Sequence, residues 1–321
     1  MRPVASSQAF GKALTRIAAA AVILGVSISP ALAERQNKYA SIVVDVDSAE
    51  ILHARYADAA RFPASLTKVM TLYMVFDALE AGDLMLSDEL TVSKTAAAQQ
   101  PSKLALRPGS KITVEAAINA LITKSANDIA VVIAERLGGT ESRFAALMTA
   151  KARALGLEDT RFTNASGLPD ANQTSTARDL AKLAETILLN HADYYDYFAT
   201  QDFVYRGAHY ENHNALLGEV RGVDGIKTGY TRASGFNLMA SAERDGRRVI
   251  AIMLGGATSK SRNKHVTDLL EAAFDVLEAK AQREAPPLRA RIAFNEIQNM
   301  STDELNAAQY REIAEQGSAQ N

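Results

Sequence analysis

The sequence predicts an α/β (α+β) fold in which a mainly antiparallel sheet is flanked by helices and carries an inserted all-helical subdomain. Three observations predict it. Strand-like alternation of apolar residues begins near residue 39 and returns after residue 225, helical periodicity fills most of the chain between them, and one amphipathic helix follows. Because strand patterns stand on both sides of the helical stretch, we expect one sheet assembled from both ends of the chain.

The opening strands are predicted to form a hairpin. Residues 41–46 and 50–56 are β-rich, and Asp47-Ser48 between them has turn chemistry. A helix is then predicted from Ser65 to Ala81, because its apolar residues recur at steps of three and four. Gly82 is suited to end that helix.

The inserted block and the closing elements follow from caps and periodicity. Thr113 and Thr176 are suited to cap helices, and Gly138 and Gly156 are suited to end them. We predict helices over 114–123, 128–138, 141–155 and 180–189, strands over 225–228, 236–242 and 248–254, and a final helix over 261–281.

Composition narrows the range of functions. The chain has 321 residues, of which 47% are hydrophobic and 22% charged, as in ordinary globular proteins. The formal net charge is −2 and there is no basic block, so no nucleic-acid partner is expected. Cysteine is absent, which excludes disulfides, thiolate catalysis and cysteine-ligated metal sites. We expect no metal and no other cofactor.

The first 33 residues have the pattern of a secretory signal peptide. Arg2, Lys12 and Arg16 give a basic start without acidic residues, residues 17–28 form an apolar run, and Ala31-Leu32-Ala33 is a small-residue cleavage pattern. The apolar run is shorter than the about 20 residues needed to span a bilayer. We therefore expect cleavage after Ala33 and an exported protein in the periplasm or the cell-wall space.

Ser65-Leu66-Thr67-Lys68 is the first candidate for chemistry. On a helix, residues three apart share a face, so the Ser65 hydroxyl and the Lys68 amine can meet. A serine needs a base to become nucleophilic, and no histidine lies near Ser65 in the sequence. Lysine can act as that base only where burial and a neighbouring cation favour its neutral form. The pattern arises easily by chance, and Ser261-Arg262-Asn263-Lys264 repeats it.

Two further patterns suit an acyl-transfer site. Ser125 and Asn127 lie between two predicted helices, where the serine can relay a proton and the amide can hold a substrate carbonyl. Helix capping is the alternative interpretation of both residues. Lys227-Thr228-Gly229 ends a predicted strand, where Lys227 and Thr228 offer an ammonium and a hydroxyl to a carboxylate. Gly229 lets a substrate lie close to the strand edge.

The order of the three patterns is more specific than any one of them. Ser-x-x-Lys, Ser-x-Asn and Lys-Thr-Gly stand in this order on a helix start, a loop of the helical block and a late strand, which is the signature of serine β-lactamases and penicillin-binding proteins. The repeat at Ser261 follows the Lys-Thr-Gly, in the wrong order. From about residue 39 to 280 the chain closely resembles the D-alanyl-D-alanine carboxypeptidases, the low-molecular-mass penicillin-binding proteins. Residues 63–71, 125–128, 162–168 and 224–231 carry this resemblance.

The resemblance implies a β-lactamase/penicillin-binding-protein-like fold and removal of the terminal D-alanine from peptidoglycan pentapeptide stems. It implies that Ser65 forms the acyl-enzyme, that Lys68 acts as base and that Ser125 passes the proton to the departing D-alanine. Lys227 would bind the terminal carboxylate, and the backbone N–H groups of Ser65 and Tyr230 would form the oxyanion hole. Peptidoglycan stem peptides are the implied partners, and β-lactam antibiotics are the implied covalent inhibitors.

We divide the chain into three parts. Residues 1–33 are the expected signal peptide, residues 34–284 the serine DD-peptidase catalytic domain, and residues 285–321 a C-terminal extension that begins near Pro286-Pro287. So short an extension is too small for an independent core, and we interpret it as a flexible appendage. Its last residues lack a clear apolar face, so the sequence leaves membrane attachment open.

Three alternatives stay open. A serine β-lactamase would share the nucleophile and the fold, but residues 161–164, where class A enzymes place a deacylating glutamate, contain none. A non-catalytic penicillin-sensing or wall-binding module would not need an intact base beside its serine. A DD-endopeptidase would use the same residues, and the sequence does not separate it from a carboxypeptidase.

Overall fold

The computed structural model describes residues 38–281. In chain order, its strands are β1 (Ala40–Asp45), β2 (Glu50–Arg55), β3 (Glu89–Thr91), β4 (Lys111–Thr113), β5 (Asp202–Tyr205), β6 (Ala208–Glu211), β7 (Val223–Thr231), β8 (Gly235–Arg244) and β9 (Arg247–Gly256). Its helices are α1 (Thr67–Glu80), α2 (Lys94–Ala97), α3 (Val114–Ile122), α4 (Asn127–Gly138), α5 (Glu141–Ala154), α6 (Ala177–Asn190), α7 (Ala192–Tyr195) and α8 (Ser259–Ala281). The expected signal peptide, 1–33, and the expected extension, 285–321, lie outside the described residues.

A five-stranded sheet in the order β2-β1-β9-β8-β7 positions the rest of the molecule. Every neighbouring pair in it is antiparallel. The first strand lies beside the last, with Ile42 of β1 opposite Ile252 of β9. The predicted fold, an antiparallel sheet assembled from both ends of the chain with a helical block between, is confirmed. β7 forms one edge of this sheet.

Each face of the sheet packs against its own hydrophobic core, and β9 contributes apolar side chains to both cores. Successive side chains of a strand point to opposite faces. Ile250 and Ile252 belong to a core shared with the inserted helices and α1. Val249 and Ala251 belong to a second core, which α8 closes. Burial of each large aliphatic side chain contributes roughly 1.5–3 kcal/mol, so the two layers hold the sheet firmly.

Threonine caps fix where the helices of the inserted block begin. The side chains of Thr113, Thr140 and Thr176 accept hydrogen bonds from backbone N–H groups three residues later, at 3.2, 3.2 and 3.0 Å. Each such cap is worth about 1 kcal/mol, because it satisfies a donor that the helix itself leaves unpaired. The predicted caps at Thr113 and Thr176 are confirmed.

The structure differs from the sequence prediction in its shortest elements. β3 pairs with β4 and β5 with β6, and strands of three or four residues carry too little alternation to be recognised. Helix α1 begins at Thr67 and not at Ser65, because a single 3₁₀ turn, Ala64–Leu66, precedes it. Within residues 38–281, none of the helices combines the length and the apolar character that crossing a membrane requires.

Candidate active site

Ser65 lies in the 3₁₀ turn that precedes α1, and a neighbouring strand holds this turn in place. The side chain of Asn237, on β8, donates hydrogen bonds from Nδ2 to the carbonyls of Phe62 (3.0 Å) and Pro63 (3.2 Å). Ala64 has a positive φ of 50°, a conformation that is uncommon for a residue with a side chain. The turn therefore presents Ser65 from a fixed backbone, at the edge of the helical block.

Lys68 stands one helical turn after Ser65, as the sequence predicts. Its Nζ lies 3.3 Å from Ser65 Oγ and donates hydrogen bonds to Asn127 Oδ1 at 2.7 Å and to the Ser166 carbonyl at 2.5 Å. The Lys68 side chain is fully buried. Two oxygen acceptors hold the amine in a single position, with the hydroxyl of Ser65 beside it.

The electrostatics of the site favour a neutral Lys68. Burial lowers the pKa of Lys68 well below its usual value, and the positive charge of Lys227 lowers it further. The carboxylate of Asp128 opposes both effects but is the smaller influence. A neutral amine has a lone pair with which to take a proton from a hydroxyl, which is what a general base requires.

The Ser-x-Asn pattern occupies the connection between α3 and α4. Ser125 has a positive φ of 56°, and its Oγ is buried with no hydrogen-bond partner among residues 38–281. Asn127 begins α4, where its Oδ1 accepts from Lys68 and its Nδ2 donates to the Gln100 carbonyl at 2.9 Å. Strained backbone and an unpaired buried hydroxyl are costly, and they concentrate at functional sites.

Lys227 lies on edge strand β7 with only 1% of its surface exposed. Burial, and then the charge of Arg262, lower the pKa of Lys227 to about 7. Its Nζ has no hydrogen-bond partner in the described part of the chain. A buried ammonium without a partner costs free energy, which an anionic ligand would recover.

Gly229 has a packing role that the sequence does not reveal. A Cβ at this position would lie 3.0 Å from the Ser65 backbone nitrogen, 3.1 Å from the Pro63 carbonyl and 3.3 Å from Ala64 Cβ. The glycine therefore lets the 3₁₀ turn approach β7 closely. This approach brings the serine next to the edge strand, where Thr228 and Tyr230 flank the glycine.

The motif residues meet at one cleft of about 400 Å³, which we call the main cleft. Lys68 and Lys227 are buried; Lys68 contacts the lining residues Ser65 and Asn127, and Lys227 directly precedes the lining residue Thr228. The structure thus brings together every site residue that the sequence predicts. The predicted residues that line the main cleft are Ser65, Ser125, Asn127, Thr228, Gly229 and Tyr230.

Two residues with ionisable side chains that line the main cleft, Arg262 and His213, are missing from the sequence prediction. Arg262 is 3% exposed, donates from Nη1 to the Asn237 carbonyl at 2.9 Å, and has its pKa lowered to about 10 by burial. Burial and the surrounding cations lower the pKa of His213 to about 4. Arg262 lies within the second Ser-x-x-Lys match, residues 261–264, which does not form a catalytic motif. No known sequence spacing connects Arg262 or His213 with Ser65.

The loop 163–167 supplies the carbonyl that accepts from Lys68. Asn164 Oδ1 accepts from the backbone nitrogens of Ser166 (3.2 Å) and Gly167 (2.8 Å), which folds the loop around one side chain. The hydroxyl of Thr71, on α1, donates to the Ala165 carbonyl at 2.7 Å. The segment 162–168, which carries part of the sequence resemblance, therefore positions the Lys68 amine.

Comparison with known proteins supports what the geometry indicates. The family model described as D-alanyl-D-alanine carboxypeptidase matches residues 29–258, most of the chain. The chain belongs to this carboxypeptidase family. It is 34% identical over 256 residues to D-alanyl-D-alanine carboxypeptidase DacF of Bacillus subtilis, which covers 78% of this chain and 64% of the relative. It is 34% identical over 244 residues to DacA of Escherichia coli, with 74% and 60% covered. The chain thus spans less than two thirds of these curated relatives.

Solved structures of the carboxypeptidase family and of other penicillin-binding proteins share the fold. Penicillin binding protein 5 from Haemophilus influenzae is 34% identical, with a TM-score of 0.71 over 73% of this chain and 70% of that one. Penicillin-Binding Protein D2 from Listeria monocytogenes, solved in an ampicillin-bound form, is 32% identical, with a TM-score of 0.65 over 73% of this chain and 96% of that one. The matched part of this chain thus corresponds to nearly the whole of the Listeria structure.

Proposed function

We propose that this protein is a serine-type D-alanyl-D-alanine carboxypeptidase that removes the terminal D-alanine from peptidoglycan pentapeptide stems. The observation that carries the proposal is the pair Ser65 and Lys68. A fully buried amine with a strongly lowered pKa stands 3.3 Å from a hydroxyl at the wall of a cleft. This arrangement activates a serine without a histidine. Family membership supports the choice of substrate.

The proposed acylation uses three side chains, those of Ser65, Lys68 and Ser125. Ser65 Oγ attacks the carbonyl carbon of the penultimate D-alanine while its proton passes to Lys68 Nζ. The carbonyl oxygen becomes negative, and the backbone N–H groups of Ser65 and Tyr230 stabilise it. The C–N bond then breaks, and Ser125 relays the proton from Lys68 to the departing amine of D-alanine, which leaves Lys68 neutral and Ser125 protonated. Ser65 now carries the stem as an ester.

Deacylation uses the same base. Water attacks the ester carbonyl while Lys68 takes its proton, and the proton then returns to the Ser65 oxygen as the ester bond breaks. The products are the shortened stem with a new carboxylate and a free Ser65 hydroxyl. No step needs a metal or an organic cofactor.

The cations of the main cleft select a substrate with a free carboxylate. Lys227, Thr228 and Arg262 offer an ammonium, a hydroxyl and a guanidinium to the terminal carboxylate of the substrate. Asn127 Nδ2 donates one hydrogen to the Gln100 carbonyl and has a second to offer to a substrate carbonyl. A carboxypeptidase needs this preference, because its substrate always ends in a carboxylate.

We further propose that β-lactam antibiotics acylate Ser65 and remain attached as slowly hydrolysed esters. Residues 161–164 contain no glutamate to activate water against such an ester. The ampicillin-bound and cefotaxime-bound structures of Penicillin-Binding Protein D2 from Listeria monocytogenes support reactivity of this kind.

We also propose that the protein is exported to the periplasm or the cell-wall space, as expected from residues 1–33. The action of its family on the cell wall supports this proposal.

Two measurements test the function. Purified protein mixed with fluorescent penicillin should gain one covalent label, which peptide mapping places on Ser65 and which the Ser65→Ala variant lacks. Incubation with diacetyl-Lys-D-Ala-D-Ala should release D-alanine. Equal labelling of Ser65→Ala would overturn the mechanism. Rapid turnover of penicillin would indicate a β-lactamase, and cleavage of cross-linked muropeptides without D-alanine release would indicate an endopeptidase.

A further inference from the structure

Loop 163–167, which holds the Lys68 amine, is itself held by side chains. Residues 163–167 form neither helix nor strand. Each of their five backbone N–H groups donates a hydrogen bond to a side-chain oxygen. Buried backbone N–H groups need an acceptor, which a helix or a sheet usually provides. The shape of this loop therefore depends on the side chains that accept from it.

Gln173 accepts from the first two of these groups. Its Oε1 lies 2.9 Å from the Thr163 backbone nitrogen and 3.1 Å from that of Asn164, and its Nε2 donates to Asn164 Oδ1 at 3.3 Å. Asn164 Oδ1 in turn accepts from the backbone nitrogens of Ser166 and Gly167. Gln173 is 2% exposed, which shields these bonds from water. Four of the five N–H groups thus depend on the Gln173 amide, directly or through Asn164.

Glu141 accepts from the remaining N–H group. It is the first residue of α5, and its Oε1 accepts from the Ala165 backbone nitrogen at 3.1 Å. The Ala165 carbonyl accepts from the Thr71 hydroxyl on α1. The peptide groups on both sides of Ala165 are therefore fixed. The next carbonyl along the chain is that of Ser166, which accepts from Lys68.

Two backbone bridges give Gln173 a fixed position. The next residue, Thr174, exchanges hydrogen bonds of 2.8 and 3.1 Å with Arg161, just before the loop. Ser175 exchanges hydrogen bonds of 2.7 and 2.9 Å with Arg61, in the segment that leads into the 3₁₀ turn. The segment that carries Gln173 is thus tied both to the loop and to the backbone that presents the nucleophile.

We propose that Gln173 and Glu141 are positioning residues for the base Lys68, on which they act through loop 163–167. Within residues 38–281, neither side chain hydrogen-bonds with Lys68 or with Ser65, so neither takes part in the chemistry itself. The inference rests on the proposed carboxypeptidase function, because it takes Lys68 as the base.

A shift of the loop has a specific effect on the reaction. Lys68 would keep its hydrogen bond to Asn127 Oδ1 and lose the Ser166 carbonyl, one of the two acceptors that fix its amine. Proton transfer needs the amine within hydrogen-bond reach of the Ser65 hydroxyl. Acylation and deacylation should therefore slow together, because both use Lys68, whereas noncovalent binding in the main cleft should stay the same.

The kinetics of penicillin acylation test the role of Gln173. Stopped-flow measurement gives the dissociation constant of the noncovalent complex and the rate constant of acylation separately. Gln173→Met keeps the length of the side chain and removes its acceptor and its donor. We expect the rate constant of acylation to fall by about 10- to 100-fold, because the base is displaced. The rate constant of deacylation should fall by the same factor, and the dissociation constant should not change.

Two substitutions at Glu141 separate its acceptor from its charge. Glu141→Gln keeps an Oε1 that accepts from the Ala165 N–H and should keep the wild-type rate constant of acylation. Glu141→Met has no such acceptor and should lower it. An equal loss in both variants would contradict the role of the hydrogen bond. Glu141 is only half-buried, so these variants test the proposal even where Gln173→Met does not fold.

Leu277→Ala is the matched control for lost stability. Leu277 is 2% exposed in the second core, which does not include the loop, and its truncation leaves a destabilising cavity. Urea unfolding measures the stability of each variant, and titration with penicillin gives the fraction of reactive protein. Leu277→Ala should lower the urea midpoint and leave the rate constant of acylation per reactive site unchanged.

The outcomes separate the two proposals. If penicillin does not label Ser65 of the wild-type protein, the carboxypeptidase function itself fails. If it does, and Gln173→Met acylates at the wild-type rate, only the positioning inference is overturned. The same holds if Gln173→Met slows acylation no more than Leu277→Ala does, or if it weakens noncovalent binding alone.

Discussion

The proposed mechanism requires opposite charge states of two buried lysines, Lys68 and Lys227. Lys68 must be neutral to take the proton of Ser65, and burial together with the charge of Lys227 lowers its pKa. Lys227 must be charged to hold a carboxylate, yet burial and Arg262 lower its pKa to about 7. The proposed reaction therefore requires a pH at which Lys68 is neutral and Lys227 is still charged.

This opposition predicts a bell-shaped pH profile for kcat/KM. Activity should rise with pH as Lys68 loses its proton and fall again near pH 7 and above as Lys227 loses its own. Arg262→Gln removes a cation that lowers the pKa of Lys227, so the alkaline limb should move to higher pH. The acid limb should stay in place, because Arg262 is not among the groups that shift Lys68. Stopped-flow acylation across pH measures both limbs; movement of both together would contradict the assignment.

Lys227 also predicts a conflict between activity and stability. A lysine that titrates near 10.5 when unfolded and near 7 when folded destabilises the native state below pH 7, and the penalty shrinks as pH rises toward 10.5. Lys227→Met should therefore raise the free energy of unfolding by about 1–4 kcal/mol at neutral pH. The Lys227→Met variant should no longer bind substrates through their terminal carboxylate. Urea unfolding at pH 7 and pH 10 measures the gain, which should be smaller at pH 10.

At the scale of elements, three segments from distant parts of the chain form the site around Ser65. The 3₁₀ turn presents Ser65, loop 163–167 holds Lys68, and β7 carries Lys227 and Thr228, the proposed carboxylate-binding residues. Glycines let the backbones of these segments approach closely. Gly167 has a φ of +85°, and a Cβ there would lie 1.9 Å from the Ala64 carbonyl oxygen. Gly167 therefore sets the distance between the loop and the turn.

Gly167→Ala should push the loop away from the 3₁₀ turn. We expect a loss of about 2–4 kcal/mol in the free energy of unfolding and a fall of roughly 100-fold in the rate of penicillin acylation, since Ser65 and Lys68 would separate. Gly109→Ala is the matched control, because Gly109 has a similar φ of +82° with nothing within 4 Å of a Cβ. It should cost about 1 kcal/mol and leave acylation unchanged. Equal effects of both substitutions on acylation would argue against a role for loop spacing.

Local signals account for most of what the sequence predicts correctly. The helices with threonine caps and the late strands are recognised because periodicity and caps lie within one element. The two short hairpins, β3–β4 and β5–β6, are not predicted because their strands are too short to show an alternation of apolar and polar residues. Arg262 and His213 are not predicted as site residues for another reason. They reach the main cleft only through the packing of α8 and of the segment after β6, and no local sequence pattern indicates this packing. Ser65, Lys68 and Lys227 are found because their order along the chain is itself a signature.

At the scale of the whole molecule, buried polar chains join the layers. Tyr39 OH lies 2.8 Å from Ser41 Oγ and 2.8 Å from His265 Nε2 on α8, and Ser41 Oγ lies 2.8 Å from His53 Nε2 on β2. Burial lowers the pKa of His265 to about 4 and that of His53 to about 3. Between about pH 4 and pH 6.5, both histidines are neutral in the folded protein, whereas in an unfolded chain they would be protonated and charged.

Stability should therefore fall in mild acid. Between pH 6.5 and pH 4 the unfolded chain binds protons that the folded protein does not, so each histidine costs about 1.4 kcal/mol of unfolding free energy per pH unit. His265→Gln should reduce this slope, measured by urea unfolding at pH 7, 6 and 5. The exposed His209→Gln is the control and should leave the slope unchanged. An identical slope in all three proteins would show that other groups govern acid unfolding.

The pairing of β1 with β9 has a consequence for how the enzyme is made. Ala40 is paired with Leu254, so the sheet contains contacts of very high contact order, and such contacts form late and slowly. The segment before α1 finds its neighbours on β8 only after nearly the whole catalytic domain has been synthesised. A nascent chain that stops before β9 already contains Ser65, Lys68 and Lys227, yet it has no sheet against which to arrange them. We therefore expect the site to be assembled only at the end of synthesis, and chains that stop before β9 to be unable to react with penicillin.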